Sequence, residues 1–140
     1  GTDGSASNND VDMFSEMSSV AKVHKATSMD PTVMNDETTL KAATIDGARA
    51  LGAEPRIGSL EPGKKADIIV LDLDQPHLTP LYNIPSHLVY AARGGDVIHS
   101  IINGRVVMEN RTLLTIDEEE VIGRMKEIQE VILKFKEENN

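Results

Sequence analysis

Val97-Ile98-His99-Ser100-Ile101-Ile102-Asn103-Gly104-Arg105-Val106-Val107-Met108 is the stretch from which the rest of the chain can be laid out. Two β-branched, apolar runs flank Asn-Gly, the dipeptide that most readily supplies the two positive φ angles of a type I′ turn. The stretch predicts a β-hairpin. Glu109-Asn110-Arg111 follows as a second turn, and Thr112-Leu113-Leu114 adds a short strand. Upstream, Ala66-Asp67-Ile68-Ile69-Val70-Leu71-Asp72-Leu73 is the other β-branched run. Its four consecutive apolar residues predict a strand buried on both faces. Between these strands, residues 84–93 read as a short helix.

The flanks are helical. Val11, Phe14, Met17, Val20, Ala21 and His24 recur at three- and four-residue steps, which predicts a helix over 10–27 capped by Asn9 or Asp10. A second helix is predicted over 36–51, with Asp36 and Glu37 in its first turn and Gly52 as its terminator. Its inner face is small, and Gly47 within it suggests close approach of another element. At the other end, Thr115-Ile116-Asp117-Glu118 matches a capping box. Val121, Met125, Ile128, Ile132 and Phe135 then form a 4-3-4-3 stripe, with Glu120/Arg124, Lys126/Glu130 and Glu130/Lys134 as opposite charges four apart. The order helix, helix, strand, helix, hairpin, helix does not alternate β with α, so the predicted class is α+β.

Composition narrows the function. The 140 residues are 39% hydrophobic, enough for one core, with only 3% aromatics. Lys+Arg number 14 against 23 Asp+Glu, a formal charge of −9. That balance argues against nucleic acid, which needs a cationic surface, and against an anionic membrane. With no Cys, disulfides, thiolate nucleophiles and Cys-ligated zinc are excluded. A cytoplasmic protein is the expectation. The opening Gly1-Thr2-Asp3-Gly4-Ser5 carries no initiator Met, and the reading expects further protein in front of it.

Few residues invite chemistry. His24, His77, His87 and His99 are dispersed, and none forms His-x-His or His-Glu-x-x-His. His24 continues an apolar stripe and His87 lies in a half-apolar helix, so both are expected to pack. His99 alternates within a strand, and His77 is expected to be exposed in a loop. Asp3 is open to two readings: a turn residue bonded to its own backbone, or a metal ligand or general base at a strand end. Ser7 lacks a Gly-x-Ser-x-Gly setting and reads as a cap or ligand contact rather than a nucleophile. Lys64 and Lys65, after Glu61-Pro62-Gly63, read as solvated turn lysines; the pattern fits neither a phosphate loop nor a lipoyl or biotinyl site.

Four stretches together resemble the C-terminal part of the metal-dependent amidohydrolase superfamily, and within it the methylthioadenosine/S-adenosylhomocysteine deaminase and chlorohydrolase-like branch. They are Gly1-Thr2-Asp3-Gly4 with Ser7-Asn8-Asn9 and Asp12-Met13-Phe14; Ala43 to Gly52; Ile57 to Asp67; and His77-Leu78-Thr79-Pro80 with Ser86 to Ala92 and Val106-Val107-Met108-Glu109. The resemblance implies a C-terminal fragment of a TIM-type β/α barrel enzyme. Residues 1–54 would be the end of the catalytic barrel, 55–114 part of its small β-sandwich domain, and 115–140 a long C-terminal helix.

The resemblance also implies roles. Asp3 would face a divalent metal at the C-terminal end of the last barrel strand, both as a ligand and as the catalytic carrier of a proton from the attacking water to the leaving group. Ser7 would touch substrate. The metal would be zinc, with iron or manganese as alternatives, and the substrate an aminopurine nucleoside. The chain departs from the family pattern in lacking the His-x-His pair, a further metal His, and the substrate-contacting Glu and His. The expected partners are therefore the N-terminal part of the same protein and other copies of it, and the chain alone is expected to be inactive. The alternative reading is a self-standing structural or oligomerisation module, with the 4-3-4-3 helix as its assembly device.

Overall fold

The computed structural model describes residues 1–139. Chain order runs α1 (Met13–Ser28), α2 (Asp36–Ala43), α3 (Ile45–Ala50), β1 (Ile68–Leu71), α4 (Ile84–Tyr90), β2 (Val97–Ile102), β3 (Arg105–Glu109), β4 (Thr112–Leu113) and α5 (Glu118–Glu138), with 3₁₀ turns at Pro76–Leu78 and Gly94–Asp96. Helices and an antiparallel meander are segregated, as an α+β chain requires.

The four strands pair in order β1-β2-β3-β4, every neighbour antiparallel. The hairpin is where the sequence puts it. Asn103 and Gly104 have φ of 51° and 79°, the signs a type I′ turn needs. The turn is also tied down from outside: the Asn103 N–H donates to Asp67 Oδ1 at 2.6 Å and the Gly104 N–H to the Ala66 carbonyl at 2.9 Å. Asn110 and Arg111 repeat the positive-φ pair between β3 and β4.

Burial corrects the expectation for β1. Among the described residues it is an edge strand, paired with β2 alone, and Ile69 and Val70 are 49% and 40% exposed. The apolar run records a face that demands cover, and among the described residues that cover is incomplete. Part of it borders an apolar groove of about 770 Å³ lined by Met13, Phe14, Leu40, Ala43, Leu60 and Ile69 among others.

α1 starts later than the periodicity suggests. Asp12, not Asn9 or Asp10, is its N-cap, because its Oδ1 accepts the Phe14 N–H at 2.9 Å. The other carboxylate oxygen accepts the Gly94 N–H at 2.8 Å, which pins the helix to the lead-in of β2. At its far end Lys25 Nζ donates to the Val33 and Met34 carbonyls at 2.8 and 2.6 Å and fixes the connector to α2. His24 is exposed rather than packed, since the stripe that reaches the core ends at Ala21.

The expected single helix over 36–51 is two helices. Thr44 leaves helical geometry at φ −124°, ψ −99°. Its hydroxyl bonds back to the Leu40 carbonyl at 2.7 Å, the side-chain competition that bends or ends a helix. α3 then ends as predicted at Gly52 (φ 63°). The Gly52 and Ala53 N–H groups reach back to the Arg49 and Ala48 carbonyls at 3.0 and 2.9 Å, a Schellman motif. The tightest approach falls at Gly58 (φ 93°), where a Cβ would come within 2.7 Å of the Ala48 Cβ.

The core is formed by Phe14, Met17 and Ala21 of α1, Leu78 of the 3₁₀ turn, and Val89 and Ala92 at α4. α5 takes no part: none of its residues is buried. Its N-cap is Asp117, whose carboxylate accepts the Glu120 N–H at 3.1 Å, and not Thr115. Of the three expected charge pairs, the Glu120–Arg124 pair forms, at 3.5 Å. Among the described residues no helix is long and apolar enough to cross a membrane.

Candidate active-site loop

Asp3 and Ser7 are brought together in the loop that leads into α1. Asp3 adopts φ 59°, a left-handed conformation that Asp tolerates better than most residues. The loop folds back as a turn: the Ser7 and Asn8 N–H groups both donate to the Gly4 carbonyl at 3.0 Å. This carries the Ser7 hydroxyl to Asp3 Oδ2, to which it donates at 2.8 Å. The Gly4 N–H donates to Asp3 Oδ1, also at 2.8 Å. The Gly4 amide first, then the Ser7 hydroxyl, hold the Asp3 carboxyl below its ordinary pKa, so it stays ionised. The group is solvent-exposed, with each oxygen fixed by one donor and retaining acceptor capacity for more.

The loop is joined to α1 through Asn8 and Glu16, a pairing that the sequence spacing does not point to. Asn8 is half-buried. Its Nδ2 donates to the Thr2 carbonyl at 3.0 Å and to Glu16 Oε1 at 2.9 Å, while its Oδ1 accepts the Asp10 N–H at 3.0 Å. In the sequence Asn8 reads as generic turn chemistry, and an eight-residue Asn–Glu spacing matches no local template.

A second polar cluster lies away from the loop. Asp96, 5% exposed, accepts from His77 Nε2 at 3.0 Å and from the Arg93 N–H at 2.9 Å. Burial pushes its carboxyl up, but the His77 and Arg93 hydrogen bonds outweigh this and leave it below the ordinary value. His77 is in an exposed loop, as expected, yet its ring is paired. This cluster clamps the segment after β1 to the lead-in of β2. His87 is half-buried, with Nδ1 2.8 Å from the Asn83 carbonyl, and His99 accepts the Asn110 N–H at 3.3 Å.

Among the described residues no three His, Cys, Asp or Glu side chains converge on a point that could hold a metal. Asp3 offers an ionised, accessible carboxylate with both oxygens oriented by its own loop. That suits a single ligand in a set completed from elsewhere, since a metal site takes three or more protein ligands.

Residues 1–107 match the amidohydrolase family. Over 132 residues the chain is 56% identical to a 5-methylthioadenosine/S-adenosylhomocysteine deaminase of Syntrophobacter fumaroxidans, covering 94% of this chain and 30% of that protein. An adenosine deaminase from Xanthomonas campestris, solved with bound zinc, matches with a TM-score of 0.91 and 42% identity over 96% of this chain and 30% of its own. The atrazine chlorohydrolase of Arthrobacter aurescens, complexed with zinc, matches with a TM-score of 0.78 and 25% identity over 88% of this chain and 27% of its own. The chain thus spans about 30% of the length of the curated relative it matches. With the family pattern running from Gly1 through the β2–β3 hairpin, the chain belongs to the amidohydrolase family.

Proposed function

We propose that the chain is the C-terminal part of a metal-dependent hydrolase that deaminates an adenosine-type nucleoside, and that Asp3 is its contribution to the chemistry. The observation that carries this reading is the Asp3 carboxylate, ionised and accessible, with each oxygen held by a donor from its own loop. The named activities of the two deaminase relatives share an adenosine moiety and differ at the 5′ substituent, which supports an aminopurine as the reacting part.

In the proposed reaction the oxygen of water bonds to the ring carbon that bears the amine, the carbon–nitrogen bond breaks, and ammonia leaves with a proton taken from the water. A divalent cation, zinc in the two solved relatives, supplies Lewis-acid activation of the water when bound. Asp3 would be one ligand, the others lying outside this chain. Asp3 also holds the proton between its departure from water and its arrival on nitrogen, a task suited to an ionised carboxylate with free acceptor positions. Ser7 is read as bordering the substrate, although here its hydroxyl is engaged by Asp3.

The same proposal assigns residues 1–54 to the end of a barrel, 55–114 to a small β-domain and 115–140 to a C-terminal helix. It fills the apolar groove beside β1 with the rest of the polypeptide and makes the protein a homo-oligomer. The groove and the exposed stripe of α5 support those two assignments. The chain by itself is inactive on this reading. In the full-length protein, Asp3→Asn lowers turnover of 5′-substituted adenosines by several orders of magnitude with the fold intact. Undiminished turnover removes Asp3 from the mechanism.

A further inference from the structure

We propose that Asn8 and Glu16 are positioning residues for Asp3, a relay that transmits the rigidity of α1 to the reacting carboxylate. The proposal rests on the reading of Asp3 given above. It starts from a mechanical problem. Asp3 sits at φ 59° on an exposed loop, a left-handed conformation uncommon for a residue with a Cβ. It persists only if its surroundings hold it there. The contacts from Gly4 and Ser7 lie within the same loop and move with it. The tie to the body of the molecule runs through Asn8.

Its geometry is well determined. Both acceptors of the Asn8 Nδ2 group, the Thr2 carbonyl and the Glu16 carboxylate, lack hydrogens to donate, and its Oδ1 takes an N–H. The orientation of the amide is therefore fixed by its partners. The Thr2 carbonyl belongs to the peptide unit that enters Asp3, so holding that oxygen holds the peptide plane about which φ of Asp3 is defined. At the other end, Glu16 stands on α1 between Phe14 and Met17, both buried in the core. Its bond to Asn8 is charge-assisted and strong for its length. The path is core, Glu16, Asn8, Thr2 carbonyl, Asp3. Removing either middle member leaves every group that would touch substrate or metal in place and releases only its orientation.

The test uses the full-length, zinc-loaded protein with Asn8→Ala, Glu16→Ala, Glu16→Gln, the double Asn8→Ala/Glu16→Ala, and Asp3→Asn. Loss of an outer partner of a metal ligand costs about 10–100-fold in activity or metal affinity. Asn8→Ala and Glu16→Ala are each expected to lower kcat by about that factor with KM changed less than about threefold. Each is also expected to speed loss of zinc to a chelator about tenfold, a readout independent of turnover. Because the two act in series, the double variant should be no worse than the poorer single. Glu16→Gln, which keeps an acceptor oxygen for Asn8, recovers most of what Glu16→Ala loses. If Asn8→Ala fails to fold, the two Glu16 variants carry the test. Wild-type kcat and zinc retention in Asn8→Ala and Glu16→Ala, alongside an inactive Asp3→Asn, overturn the relay and leave the role of Asp3 standing. A lowered thermal midpoint with unchanged kcat and zinc retention also overturns it. Full turnover in Asp3→Asn overturns the reading of Asp3 and the relay with it.

Discussion

α1 and α5 are written alike and end differently. Each carries apolar residues at alternating three- and four-residue steps, and each is started by an Asp that accepts a first-turn N–H. α1 buries Phe14, Met17 and Ala21 against α4 and Leu78. α5, five residues longer, buries nothing, and Phe135 is 65% exposed. A stripe states that a face wants cover, and it does not say what supplies it. For α1 the supplier is the same chain 57 to 78 residues later. For α5 the described residues supply none.

The sharpest way to test that contrast is to delete one aromatic ring from each helix. Phe14→Ala removes a buried ring and is expected to cost about 3–5 kcal/mol in urea unfolding; a loss below about 1 kcal/mol would show that α1 is not the core helix. An intermediate effect comes from Asp12, which both caps α1 and holds Gly94. Asp12→Ala is expected to cost about 1–2 kcal/mol, and a thermal midpoint equal to wild type would show that neither bond restrains the helix.

A smaller, pH-dependent effect belongs to Asp96, next to that anchor. Its carboxyl is held below the ordinary value, so its contribution is complete above the unfolded pKa and disappears as pH falls through the folded one. Stability should decline below pH of about 4, and Asp96→Asn should remove that part of the decline. An unchanged acid limb would assign it to other carboxylates. The smallest effect is expected in α5: Phe135→Ala should change stability by less than about 0.5 kcal/mol in the monomer. A larger loss that grows with protein concentration would reveal that copies of the chain supply the cover.

What could be read in advance follows the same division between local and distant causes. The Asn103–Gly104 turn and the Gly52 terminator are set by residues within a few positions, and both appear in the structure. The break at Thr44 was not legible, because the sequence around it contains neither Pro nor an adjacent Gly; only the back-bond of its hydroxyl shows the cause. Gly47 drew attention where Gly58 makes the closer approach, since the partner of Gly58 lies ten residues upstream on another element. Four apolar residues in β1 state that its faces want cover, and among the described residues that cover is incomplete. At the loop before α1, spacing alone leaves Asp3 open between a turn residue and a ligand or base. The Asn8–Glu16 bond is not legible in the sequence because it crosses from a loop to a helix face.

The Asp12–Gly94 hydrogen bond spans 82 residues of sequence, and that separation has a meaning during synthesis. At about 5–20 residues per second, Asp12 is joined to the chain roughly 4–16 s before its partner. One carboxylate oxygen can start α1 at once through the Phe14 amide, while the other waits. Closing a loop of that length costs roughly 2–3 kcal/mol more entropy than closing a hairpin turn, so the β2–β3 hairpin forms first once it emerges and the long bond closes after it. A nascent chain halted before residue 94 would hold α1 started at Phe14 but without its tie to the lead-in of β2.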